Sequence, residues 1–289
     1  MVEKRRAVRN RALNFSSPAL VHRASRLELT FRARGGQTYL AEQFVGSPLK
    51  ILRPFALDEG RVVLQILNVG PGIMQGDVFE LNIQVETGAK VVLVTQSATK
   101  LHAMPHGAAR QTVSLRVETG AELEVYPGLV IPYRDAEFYQ RTEVRLKRGA
   151  RFGLLERWSV GRVAHGEAFG FRRLSSRLHI QREGRLVYAD GLELTPKTAS
   201  HLGVSDGHAY LAAWVWLWDD GEFASATEVV RPTLAGTSLV HGSFGEGLYL
   251  RCLGLDGLEH AAASARVVQE WRSASGLPRI DFGRFGTGL

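Results

Sequence analysis

Apolar and polar residues alternate with period two through most of the chain, most clearly around a recurring five-residue link. Val85-Glu-Thr-Gly-Ala89 returns as Val117-Glu-Thr-Gly-Ala121, and a looser copy, Leu146-Lys-Arg-Gly-Ala150, follows. Leu81, Ile83 and Val85 lead into the first copy, and Val91 and Leu93 follow it. Val113, Leu115 and Val117 precede the second and Leu123 and Val125 follow; Val144 and Leu146 precede the third, and Phe152 and Leu154 follow. Alternation on both sides of a short Gly-containing link predicts antiparallel strand pairs joined by hairpins, the Gly supplying a positive φ. Recurrence at about 30 residues points to stacked, repeated units. The expected class is mostly all-β: stacked antiparallel strand pairs in a β-helix-like solenoid or a sandwich.

The same pattern predicts a first strand over Arg26–Arg34, turned at Gly35-Gly36. It also predicts a strand buried on both faces over Val62–Val69, and further strands over Phe152–Val160, Phe169–Ile180 and Arg185–Asp190. Glu183-Gly184 reads as a hairpin turn and Thr195–Gly207 as a surface loop. Trp214, Trp216 and Trp218 alternate on a strand closed by Asp219-Asp220-Gly221, and read as one packed face rather than a stacking platform. Gly247–Leu253 is a late strand. Leu258–Trp271 is the best helix, led in by Asp256-Gly257 and ended by Gly276 and Pro278.

Composition narrows the class. The 289 residues suit a single β-rich domain over 25–289 behind a basic, flexible arm over 1–24. Residues 1–26 carry six of the seven net positive charges, so the basicity reads as an arm and not as a stripe across a folded face. No run approaches the ~18 apolar residues of a membrane span, and arginines interrupt the N-terminus where a secretory leader would be apolar. Cys252 is the only cysteine, which excludes an internal disulfide framework. A cytoplasmic location is the simplest expectation.

Candidate chemistry is sparse. Gly70-Pro-Gly-Ile-Met-Gln-Gly-Asp77 lacks the Lys-Ser/Thr of a phosphate loop and reads as a tight turn ending in Asp77. His102 and His106 have the spacing of a helical metal pair, but Pro105 argues against a helix and no third ligand is near. A transient contact with an ion such as nickel, aided by Met104, fits better than a permanent site. No nucleophile elbow, zinc-protease or kinase signature is present.

Five stretches in order carry more: Gly70–Asp77, Thr95-Gln-Ser-Ala-Thr-Lys100, Ala109-Arg-Gln-Thr112, Val130-Ile-Pro-Tyr-Arg-Asp135 and Leu155-Glu-Arg-Trp-Ser-Val-Gly-Arg162. With Gly166-Glu-Ala-Phe169, Asp190-Gly-Leu-Glu-Leu194 and Pro278-Arg-Ile280, they resemble the UreD (UreH) family of urease accessory proteins over roughly Phe31–Ile280. The chain departs from the family pattern at Pro71-Gly72, where Gly-Gly is usual, and at His102, where an aromatic is common. The resemblance implies a non-enzymatic, β-rich chaperone that binds apo-urease and the accessory proteins UreF and UreG, the latter a GTPase. It would help deliver nickel, holding Ni²⁺ transiently and no cofactor permanently, with neither nucleic acid nor membrane as partner. A homodimer within the accessory complex is compatible with it.

Within those motifs, Asp77, Thr99, Glu156, Glu167, Asp190 and Glu193 offer oxygens able to replace part of the hydration shell of Ni²⁺, and Lys100 can pair with one of them. The alternative for each is a buried, hydrogen-bonded structural role. Two competing functions remain: a carbohydrate-active β-solenoid using paired carboxylates and the tryptophan row, and a nucleic-acid binder using the arm.

Overall fold

The structure, a computed structural model, describes residues 24–198, 207–218 and 238–286. The expected arm, apart from residue 24, lies outside them, as do the Asp219–Gly221 turn and most of the 195–207 loop.

The chain opens with a hairpin of β1 (Ser25–Arg34) and β2 (Gln37–Val45), followed by short strands β3 (Leu49–Ile51) and β4 (Phe55–Ala56) and by β5 (Val62–Asn68). It then alternates between two sheets. β6 (Val78–Val85) lies in the first and β7 (Lys90–Thr95) in the second; β8 (Thr99–Leu101) turns the chain back. The cycle repeats as β9 (Ala109–Val117), β10 (Glu122–Tyr126) and β11 (Val130–Pro132), then as β12 (Glu137–Leu146) and β13 (Arg151–Ser159). β14 (Arg173–Arg182) and β15 (Arg185–Leu194) complete the first sheet. β16 (Tyr210–Leu217), β17 (Ser238–Phe244) and β18 (Gly247–Gly254) extend the second, and helix α1 (Gly257–Ala274) follows.

The solenoid-like stack of strands with one late helix is therefore what the alternation predicted, but the repeated links are not hairpins. β6, β9, β12 and β14 are parallel neighbours, as are β5, β7, β10 and β13. Each link carries the chain across from one sheet to the other. The turn itself is as expected: Gly88, Gly120 and Gly149 have φ of 71°, 64° and 69°. Ala89 N–H donates to the Glu86 carbonyl (3.0 Å), with equivalent bonds at Ala121 (3.0 Å) and Ala150 (3.1 Å). The links also bond to one another, Glu118 N–H to the Val85 carbonyl and Lys147 N–H to the Val117 carbonyl, both 2.9 Å. A turn of one shape thus stacks on its own copies, which fixes the register of both sheets together.

Two apolar layers result. Between the sheets lie Leu29, Phe31, Ile83, Val85, Leu115 and Val117 facing Val91, Leu93, Leu123 and Phe152. On the outer side of the second sheet, Trp214, Trp216 and Trp218 pack under α1 and the C-terminal turn, against Val267, Val268, Trp271 and Phe282. Trp216 stacks on Trp271 at 4.5 Å. The tryptophan row is buried, so it offers no platform to a glycan. Asp256 caps α1, its Oδ1 accepting from Leu258 N–H (2.8 Å) and Glu259 N–H (3.0 Å). This helix is too polar to cross a membrane, and no other helix among the described residues is long and apolar enough.

The outer face of the first sheet corrects the charge reading. Arg110 and Arg116 on β9, Arg141 and Arg145 on β12, and Arg173 and Arg177 on β14 all point outward and are exposed. A basic stripe does cross the folded body; the small net charge of the body conceals it because acids elsewhere cancel the sum.

Candidate functional site

At the end of the sandwich opposite the repeated links, the ordered motifs collect. Ile73 bridges Leu101, and β8 pairs in parallel with β11, so Gly70–Asp77, Thr95–Lys100 and Val130–Asp135 stack on one another. Gly72 is required there: with φ 145°, a Cβ on it would lie 2.4 Å from the Lys100 carbonyl oxygen. Pro71 in front of it is accommodated, its carbonyl 3.0 Å from His102 Nε2.

Inside this end, the inward positions of the first sheet turn from apolar to polar. Phe79, Gln111, Gln140 and Ser176 share one level across β6, β9, β12 and β14. The next level runs Leu81, Val113, Thr142, Leu178 and Asp190. Facing them from the second sheet, Glu156, Ala213 and Arg251 share a level across β13, β16 and β18. Gln111 Nε2 donates to Gln140 Oε1 (3.1 Å), Gln140 Nε2 donates to Glu156 Oε1, and Ser176 Oγ donates to the same oxygen (3.3 Å). Arg251 reaches across the gap to pair with Asp190, which also accepts from Tyr188 O–H (3.3 Å).

Two cavities flank this network. One, of about 240 Å³, is lined by Ser97, Thr99, Lys100, Gln140, Thr142 and Glu156 among others. The other, of about 410 Å³, is lined by Glu156, Ser176, Asp190 and Arg251. Glu156 and Trp158 belong to both walls. Burial raises the Glu156 carboxyl to about 7, with Asp190 adding to the rise and the Ser176 and Gln140 bonds opposing it. Near neutrality this carboxyl is therefore divided between charged and neutral forms.

Of the residues singled out from sequence, Thr99, Lys100 and Glu156 meet at the first cavity, and Glu156 and Asp190 at the second. Lys100 is exposed and has no ion pair among the described residues. The others lie elsewhere. Asp77 closes its turn, Oδ2 accepting from Met74 N–H at 2.8 Å. Glu167 accepts from Arg134 N–H (2.6 Å) and pairs with Arg162 (2.5 Å), whose guanidinium holds its carboxyl below the usual range. Glu193 pairs with Arg173 on the surface at 3.4 Å. His102 packs edge-on against Tyr133, while His106 sits exposed in a turn where its N–H donates to Gln75 Oε1. No group of three or more His, Cys, Asp or Glu placed to hold a metal occurs among the described residues.

Sequence reasoning missed Gln111, Gln140, Ser176 and Arg251. A signal existed for the two glutamines. Aligning the repeats places Gln111 and Gln140 level with Phe79, so both put an amide where the first coil has an inward aromatic ring. Arg251 gave a weaker one, as a single charge inside the apolar strand Gly247–Gly254.

The profile described as UreD urease accessory protein matches residues 22–281. The chain is similar to a urease accessory protein UreD of Synechococcus sp., 38% identical over 273 residues that cover 92% of this chain and 97% of the relative. Another relative, urease accessory protein UreD of Deinococcus radiodurans, is 34% identical over 84% of this chain and 89% of its own length. A urease accessory protein UreH of Helicobacter hepaticus is 33% identical over 58% of this chain and 66% of its own. With its motifs stacked at one end of a two-sheet solenoid, and a match along nearly its whole length, the chain belongs to the UreD family of urease accessory proteins.

Proposed function

We propose that the protein is a non-catalytic scaffold of urease maturation: it holds UreF and UreG on apo-urease and lets nickel, the cargo, pass through the space between its sheets. The observation that carries the passage is Glu156, a carboxylate shared by two cavities and bonded, among the described residues, only by the neutral donors Gln140 and Ser176. A divalent cation entering a protein interior needs oxygen ligands in place of water, and Thr99, Gln140, Glu156, Ser176 and Asp190 supply them in sequence along the two cavities. Because its proton is held near neutrality, Glu156 can release it as a cation arrives and regain it as the cation leaves, so no unpaired charge stays buried.

The test is co-expression of apo-urease, UreF, UreG and nickel with the wild-type chain, with Glu156→Ala and without the chain. Nickel per urease active site should fall severalfold for Glu156→Ala while the variant keeps its circular dichroism and its binding to UreF. Nickel content unchanged by the variant sinks the passage; nickel content unchanged by omitting the chain sinks the scaffold. Loading by the wild type should also rise with pH through about 7, as Glu156 ionises.

A further inference from the structure

Parallel sheets are ordinarily covered on both faces. The second sheet obeys this rule, with the first sheet on one side and α1 on the other. The first sheet has no described element over its outer face, and that face is where the six outward arginines of β9, β12 and β14 stand.

Their arrangement works against stability. Arg116 lies directly opposite Arg145, and Arg141 directly opposite Arg177, on adjacent strands. Like charges in such register positions repel. Glu143 relieves part of this, 2.5 Å from Arg141 and 3.8 Å from Arg145, yet both arginine side chains remain more than half exposed, at 59% and 57%. Arg116 and Arg177 are exposed and have no acidic partner among the described residues. Arg110 is spread over the ring of Tyr139, its guanidinium 4.9 Å from the centroid.

We propose that this face is a docking surface for an acidic, flat protein surface. Guanidinium groups pair with carboxylates through two parallel hydrogen bonds, and neighbouring strands set the spacing of the arginines that do so. Glu143, set between Arg141 and Arg145, breaks the run of positive charge, which suits separate carboxylates on a protein better than the continuous charge of a polyphosphate. The proposal rests on the scaffold reading and assigns a surface to it.

The experiment uses the full chain with two purified probes, apo-urease and UreF, and follows association rate against salt concentration. The fourfold variant Arg116→Glu, Arg141→Glu, Arg145→Glu and Arg177→Glu should associate with one of the probes at least about tenfold more slowly and lose most of its salt dependence. Lys50→Glu, at the far edge of the second sheet, should change neither. If the fourfold variant fails to fold, the pair Arg141→Thr with Arg177→Thr replaces it. That pair should melt no lower than the wild type, because a repulsion has been removed, and still slow the association. Unchanged rates and salt dependence with both probes overturn the proposal, as does binding of duplex DNA that the variants abolish while protein binding stays intact. Normal urease activation by the reversed variant removes this docking face alone, whereas failure of the wild-type chain to support activation removes the scaffold reading.

Discussion

Two carboxylates on neighbouring strands of the second sheet, Glu124 on β10 and Glu156 on β13, are drawn into the interior on opposite faces and answered in opposite ways. Glu124 is 4% exposed and receives Arg272, itself fully buried at the end of α1, together with the Tyr126 hydroxyl at 2.5 Å. Around it pack the tryptophans and the helix. Glu156 has neutral donors and space on either side. A buried carboxylate with a fixed cation is a fastening; one with only neutral donors and room beside it is the arrangement on which the proposed passage rests.

The largest effect should come from breaking the fastening. Arg272→Ala leaves Glu124 charged and buried with no cation, and should cost about 3–5 kcal/mol in thermal or denaturant unfolding. Adding Glu124→Gln should recover much of that loss, because the stranded charge is then gone.

A second effect on the same outer face concerns His260, stacked on Tyr210 at 5.8 Å. Burial, aided by Arg157, lowers its pKa to about 4. The unfolded chain therefore binds this proton first. Stability that is intact above about 6.5 should fall as pH drops towards 4, by up to about 3 kcal/mol, and His260→Phe should flatten that part of the acid profile.

On the inner face the sign reverses. The Glu156 carboxyl is raised to about 7, so folding is penalised as pH climbs from about 4.5 through 7. Glu156→Gln keeps a side chain able to bond Gln140 and Ser176. It should be more stable than the wild type at pH 8 by about 1–2 kcal/mol, allowing for water in the cavities, while urease nickel content falls. A variant that is less stable and loads nickel normally would make Glu156 a structural residue like Glu124.

The smallest effect is Asp256→Ala. Loss of the cap on α1 should cost about 1 kcal/mol and leave nickel loading unchanged, separating the cover from the passage.

Much of this was legible in the chain, for reasons that also explain what was not. Period-two alternation and the glycine of the repeated link are local features, and they were read correctly as strands and turns. The pairing partner is not local. A hairpin and an arch between sheets use the same turn, and only the buried ladder from Val85 to Val117 to Leu146 distinguishes them. At the site, Glu156 stood out because it puts a carboxylate inside one of the ordered motifs, on a strand. Asp77 stood out equally but spends its oxygen on Met74 N–H, a difference of backbone geometry that composition does not carry. The neutral amides Gln111 and Gln140 attracted no notice because uncharged polar residues are common on exposed strand faces, and which face was inward depended on the register.

Because each repeated coil, β6–β7, β9–β10 and β12–β13, contributes one strand to each sheet, the span of the sandwich along the stack is counted out in whole strands. Duplication or deletion of one coil would lengthen or shorten that span by a single strand spacing, about 4.8 Å, and leave the geometry within each coil untouched. The solenoid is thus a ruler graduated in steps of one strand.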